Sequence, residues 1–221
     1  MPRTLSEAES KSLLAPLGIP FAPEEVVTDP DAAVDAANRL GMPVAAKLCG
    51  DNIAHKTERG LVRLGLSNAD DVAAAAADLL AAARDEDNAT GVLIAPMVGG
   101  DRELIAGAST DEQFGPTVLL GVGGVLAEAV ADVSVRLAPI TDVDANEMIE
   151  DLQSQAILGE FRGQPAVDRE ALVAVLAGLS EAISAPASNG ATILSVDLNP
   201  LIISDGRPVA VDALVELEEA S

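Results

Sequence analysis

The chain has 221 residues, 49% of them hydrophobic, with 36 acidic against 13 basic residues and a formal net charge of −23. That length fits one large domain or two small lobes, and the apolar share excludes disorder in spite of the charge. A surface this negative repels polyanions, so neither nucleic acid nor an anionic membrane is expected as a partner.

Ser6-Glu7-Ala8-Glu9 reads as a capping box, and an apolar stripe through Leu13, Leu14 and Leu17 continues the helix until Gly18 and Pro20 stop it. Asp29-Pro30 caps a second helix that runs to Leu40 and ends at Gly41. Pro43–Cys49 is a buried strand, a polar loop follows over Gly50–Gly60, and Leu61–Leu66 alternates as a strand. An alanine-rich helix covers Ala69–Arg84, and strands are expected at Val92–Met97 and Glu103–Ala108. Gly115–Pro139 mixes strand-like pieces with a glycine cluster, and two helices lie near 142–158 and 168–184. A hairpin over Thr192–Val215 closes the sequence. Adjacent strands interrupt the alternation with helices, which predicts an α+β fold in two lobes, about 1–90 and 91–221, rather than a doubly wound sheet.

No apolar run reaches the roughly 20 residues of a membrane span, and residues 1–10 are polar and acidic, unlike a signal peptide. Cys49 is the lone cysteine, which excludes an internal disulfide and fits a reducing compartment. A soluble, cytoplasmic protein is expected. Lysine occurs only at 11, 47 and 56, Trp and Tyr are absent, and this composition resembles the proteins of salt-loving microbes, whose self-repulsion is screened by salt.

Positive charge is unevenly spread. Thirteen basic residues in 221 is one in every 17 positions, yet the 17 residues from Lys47 to Arg63 hold four: Lys47, Lys56, Arg59 and Arg63. On so negative a chain this loop is where a polyphosphate could approach, although the same cations could simply balance nearby carboxylates. His55, the only histidine, lies beside Lys56, and a neutral imidazole nitrogen can accept a phosphoryl group. One His and one Cys cannot assemble an ordinary zinc site.

A second argument comes from the hairpin. Asp205-Gly206 is a strong two-residue turn signal, and a turn there sets Asn199 opposite Asp212. Asp197, two positions before Asn199, projects from the same face. Directly opposed residues have Cβ atoms about 5 Å apart, so the three form either a converging oxygen set of a kind that suits Mg²⁺ or a solvated polar edge, and Asp197 and Asp212 interrupt otherwise apolar strands. The cluster Gly121-Val122-Gly123-Gly124 either lines a phosphate or permits tight turns, and it lacks the spacing of a Walker loop or a Rossmann fingerprint.

Taken with the surrounding residues, these motifs resemble the ATP-grasp subunit of NDP-forming acyl-CoA synthetases, the ADP-forming acetate–CoA ligase family. The resemblance spans nearly the whole chain: Leu14 to Pro20, Pro43 to Lys47, His55 to Gly60, Gly99 to Gly107, Asp111 to Pro116, Asp132 to Pro139, and Asp197 to Pro200 with Asp212. It implies an ATP-grasp fold whose two lobes hold the nucleotide between them, with ATP or ADP as substrate and Mg²⁺ as cofactor. It implies that Lys47 contacts the nucleotide phosphates, with Lys56, Glu103, Gly123 and Gly124 in the same site. His55 would carry the phosphoryl group, Arg136 would lie near it in transfer, and Asn199 and Asp212, with Asp197, would hold the metal. Leu61 stands where the family has a second glycine, and Ala95-Pro96 replaces its usual polar hinge residues. The family's reaction converts acyl-CoA, ADP and phosphate reversibly into acid, CoA and ATP. Neither a second histidine nor a Rossmann glycine motif is present, so a separate CoA-binding alpha subunit is expected, in a heterotetramer. A succinyl-CoA-synthetase-like subunit and a non-catalytic nucleotide-binding module are the other readings; the His-Lys pair at 55–56 argues against the first.

Overall fold

The computed structural model describes residues 2–51, 53, 56–124, 131–160, 163–186 and 190–218. Two contact units result, one of residues 4–9 and 22–97, the other of residues 1–3, 10–21 and 98–221.

In the smaller unit four strands pair antiparallel in the order β2 (Glu25–Val27), β5 (Ala89–Pro96), β3 (Val44–Gly50) and β4 (Val62–Leu66). β3 is buried along its whole length, as expected of a strand with an apolar layer on each side. Val44, Ala46 and Leu48 point into a core with Ala33, Ala36 and Ala37 of α2 (Pro30–Leu40) and Val72, Ala76 and Leu79 of α3 (Ala69–Ala81). Cys49 points the other way and packs with Leu93, Ala95 and Ala8, which belongs to the first turn of α1 (Glu7–Leu14). The expected caps form. Ser6 Oγ accepts from Glu9 N at 3.3 Å while the Glu9 carboxylate accepts from Ser6 N at 3.2 Å, and Asp29 accepts from Ala32 N at 2.9 Å. Leu61, in the family's glycine position, is 2% exposed and fills the core.

The larger unit is built on a seven-stranded sheet in the order β1 (Pro2–Thr4), β11 (Leu214–Glu218), β9 (Thr192–Ser204), β6 (Arg102–Asp111), β7 (Gly115–Val122) and β8 (Val133–Leu137), with β10 (Arg207–Ala210) also paired to β9. Alternation divides its faces. Leu104, Ala106, Ala108, Val118, Leu120, Val196 and Leu198 are buried on the side where α4 (Asp142–Asp151) and α5 (Arg169–Ser184) pack. Glu103, Ile105, Gly107, Asp197 and Asn199 belong to the opposite face.

Three departures from the sequence reading have physical causes. β1 and β2 are three residues each, too short to show a period. α4 stops at Asp151 instead of near 158, because the buried Asp132 carboxylate accepts from Gln153 N at 2.9 Å and Ser154 N at 2.7 Å and turns the chain. Burial alone would raise the Asp132 pKa, but these N–H donors hold it below the usual carboxylate range. The terminal hairpin is one long strand, β9, paired in succession with β10 and β11. No helix among the described residues is long and apolar enough to cross a membrane.

Candidate functional site

Lys47 sits on β3 between Val62 of β4 and Leu93 of β5, on the face that carries Cys49 and the first turn of α1. That turn presents Glu7. Its Oε1 accepts from Lys47 Nζ at 2.6 Å, and its Oε2 accepts from Lys56 Nζ. The three side chains are nearly closed to solvent, at 2% for Glu7, 10% for Lys47 and 9% for Lys56. Behind Lys56 the loop closes tightly: Leu61 N donates to Lys56 O at 2.8 Å and Gly60 N to Thr57 O at 3.0 Å.

Arg59 and Arg63 behave differently from the lysines. Arg59 forms a two-pronged pair with Asp87, at 2.7 and 2.8 Å, which lowers the Asp87 pKa, and Arg63 donates to Gly60 O at 2.6 Å. Charge balance explains Arg59 well, while Lys47 and Lys56 share the one carboxylate of Glu7. His55 lies outside the described residues.

In the larger unit the hairpin register is the one the Asp205-Gly206 turn dictates. Both turn residues have positive φ, 48° and 82°, as a tight two-residue turn requires. Arg207 pairs with Ser204 and Ala210 with Leu201, and the same register resumes at Leu214 with Asp197. Asn199 and Asp212 fall on that register between the two paired stretches, where Val211 N donates to Pro200 O at 3.2 Å. Desolvation first, and the negative charge of Asp212 second, push the Asp197 carboxyl above its ordinary pKa. Crowded carboxylates of this kind favour a cation. Among the described residues no group of three or more His, Cys, Asp or Glu forms.

Glu103 and the glycines come together on β6 and β7. Gly123 N donates to Glu103 O at 2.8 Å, and a Cβ at Gly123 would stand 3.0 Å from the Leu104 backbone. A Cβ at Gly124 would lie 3.8 Å from Glu103 Oε2. Only glycine brings this turn so close to β6. Arg136 is not brought to that face. It lies opposite Val118, on the helix side of the sheet, where it pairs with Asp151 at 2.5 Å and Glu147 at 3.9 Å. Strand alternation therefore sets Arg136, which the resemblance put near the phosphoryl group, on the other side of the sheet from Glu103.

Sequence reading missed Glu7 as more than a helix-start residue, missed Ser10, and gave Lys11 no structural role. Ser10 Oγ accepts from Val215 N at 3.2 Å and Lys11 Nζ donates to Val211 O at 3.3 Å, anchoring the segment that carries Asp212. A signal was available. Lys11, Lys47 and Lys56, the only lysines in the chain, are all buried, at 6%, 8% and 9% exposure.

The α+β chain, with its two antiparallel sheets, is matched by the ATP-grasp domain family over residues 2–217. The beta subunit of ADP-forming acetate–CoA ligase I from Pyrococcus furiosus is 35% identical, over 96% of this chain and 90% of that one. The dinucleotide-forming acetyl-coenzyme A synthetase 1 of Candidatus Korarchaeum cryptofilum, in complex with coenzyme A and Ca-AMPCP, superposes with a TM-score of 0.86 at 32% identity, covering 98% of this chain and 94% of that one. The same enzyme with coenzyme A and Mg-AMPPCP, its phosphohistidine segment pointing towards the nucleotide binding site, gives 0.79 at 32% identity, over 97% and 93%. This chain belongs to the ATP-grasp beta-subunit family of ADP-forming acetate–CoA ligases.

Proposed function

We propose that the chain, as a single ATP-grasp domain of two lobes, is the nucleotide-binding subunit of a cytoplasmic ADP-forming acyl-CoA synthetase. With a CoA-binding alpha subunit, in a heterotetramer, it converts acyl-CoA, ADP and phosphate reversibly into carboxylic acid, CoA and ATP. The observation that carries this reading is the buried cation pair Lys47 and Lys56, held by Glu7 in a chain otherwise strongly negative. The beta-subunit name of the Pyrococcus relative supports the division between two subunits.

Lys47 and Lys56 offset the charge of the nucleotide phosphates, while Glu103, Gly123 and Gly124 line the nucleotide. Asn199 and Asp212, with Asp197, hold Mg²⁺, and the oxygen donors and crowded charge of that set fit a hard cation. When bound, Mg²⁺ neutralises phosphate charge and fixes the orientation of the phosphates. His55, immediately before Lys56, takes the phosphoryl group on a neutral ring nitrogen as the bond to the incoming carrier breaks. It then passes the group to the terminal oxygen of ADP, and the nitrogen returns to its neutral state. Positioning and charge neutralisation do most of the work, as is general in phosphoryl transfer. Arg136, held by α4, is given no part in it.

The test is turnover with both subunits. Acyl-CoA, phosphate and Mg-ADP should yield ATP and CoA one for one, and omission of either subunit should abolish it. ADP binding without turnover by the complete pair would reduce the chain to a nucleotide-binding module.

A further inference from the structure

We infer that Glu7 is a positioning residue for the phosphate-binding cations, acting through Lys47 and Lys56; this rests on the nucleotide reading above. Its two carboxylate oxygens are divided between the lysines, one each. The three groups come from distant parts of the sequence: the capped first turn of α1, the middle of β3, and the residue that directly follows His55. Two ammonium groups placed side by side repel, and each stem is long enough to swing away. A buried anion that bonds to both removes that freedom and keeps both in one place. The geometry also makes Glu7 hard to replace. Asp is one methylene shorter and reaches one lysine or the other, and Gln is uncharged and sets a donor NH2 where Glu7 has its second acceptor oxygen.

This role differs from simple stabilisation, because it predicts an effect confined to phosphate. ADP and adenosine share the base and sugar, so a positioning role moves one affinity and spares the other. In the full-length chain at fixed salt, Glu7→Gln should weaken Mg-ADP binding at least tenfold while adenosine binding stays within twofold of wild type. With both lysines already replaced, in Lys47→Gln, Lys56→Gln, adding Glu7→Gln should weaken ADP binding no further, since Glu7 then has no lysine to aim. If Glu7→Gln does not fold, Glu7→Asp is read by the same ratio. A folded variant with the wild-type ADP-to-adenosine ratio overturns the inference and leaves the nucleotide reading intact. A wild-type chain that binds neither compound overturns both.

Discussion

The charged cluster in the smaller unit and the one in the larger unit are built on opposite rules. Lys47 and Lys56 are buried and share one carboxylate, Glu7, so both cations are held in place before any ligand arrives. Desolvation first, and the charge of Asp212 second, raise the Asp197 pKa, so ionised Asp197 is disfavoured. The difference follows from chemistry. An ammonium group needs a fixed partner to hold its flexible stem, whereas a hard metal site gains affinity from carboxylates that repel one another without it. The lysine cluster should therefore fail by losing phosphate binding, and the aspartate pair by losing metal dependence.

The largest expected effect is on the cation side. Lys47→Ala should lower turnover of the two-subunit enzyme on the order of a hundredfold, as loss of a preorganised charge partner does. Glu7 still has Lys56, so circular dichroism should report a folded chain. A smaller effect belongs to the metal. Asp212→Ala should weaken Mg-ADP binding about tenfold and metal-free ADP binding less than about twofold, by calorimetry. Equal losses would remove Asp212 from the metal site.

The smallest effect carries a sign. Asp197 has a folded-state pKa above its unfolded value of about 3.9, so its ionised form costs stability at neutral pH. That cost fades as pH falls below the folded-state pKa and the group is protonated. Asp197→Asn should therefore raise Tm slightly at pH 7 without Mg²⁺ and leave it unchanged near pH 3, on the order of one or two degrees. Added Mg²⁺ should reverse the ranking. A variant less stable than wild type in the absence of metal would show that Asp197 is compensated after all.

Local signals in the sequence were dependable. The Ser6–Glu9 box, the Asp29-Pro30 helix start and the Asp205-Gly206 turn each form as their residue types dictate, and the turn carries the hairpin register to Asn199 and Asp212. Long-range pairing was not legible. Glu7 meets Lys47 from 40 residues away and Lys56 from 49, and Asp87 meets Arg59 from 28, with no period to announce any of them. Ser10–Phe21 joins the unit formed by the later sequence, which order along the chain cannot reveal. The side of the sheet that Arg136 takes was legible, since Val133, Val135 and Leu137 alternate with it and are exposed on the other face. The rule of two places the arginine with the helices.

Phosphoryl transfer through His55 is the central claim, and trapping the phosphorylated chain tests it most directly. Incubation with the CoA-binding subunit, acyl-CoA and phosphate, without ADP, should leave acid-labile, base-stable phosphate on His55. Mg-ADP should then discharge it as ATP. In His55→Asn both steps should vanish while ADP binding stays near wild type, because Asn is polar but lacks a nucleophilic nitrogen. A His55→Asn enzyme that turns over at the wild-type rate would contradict the account.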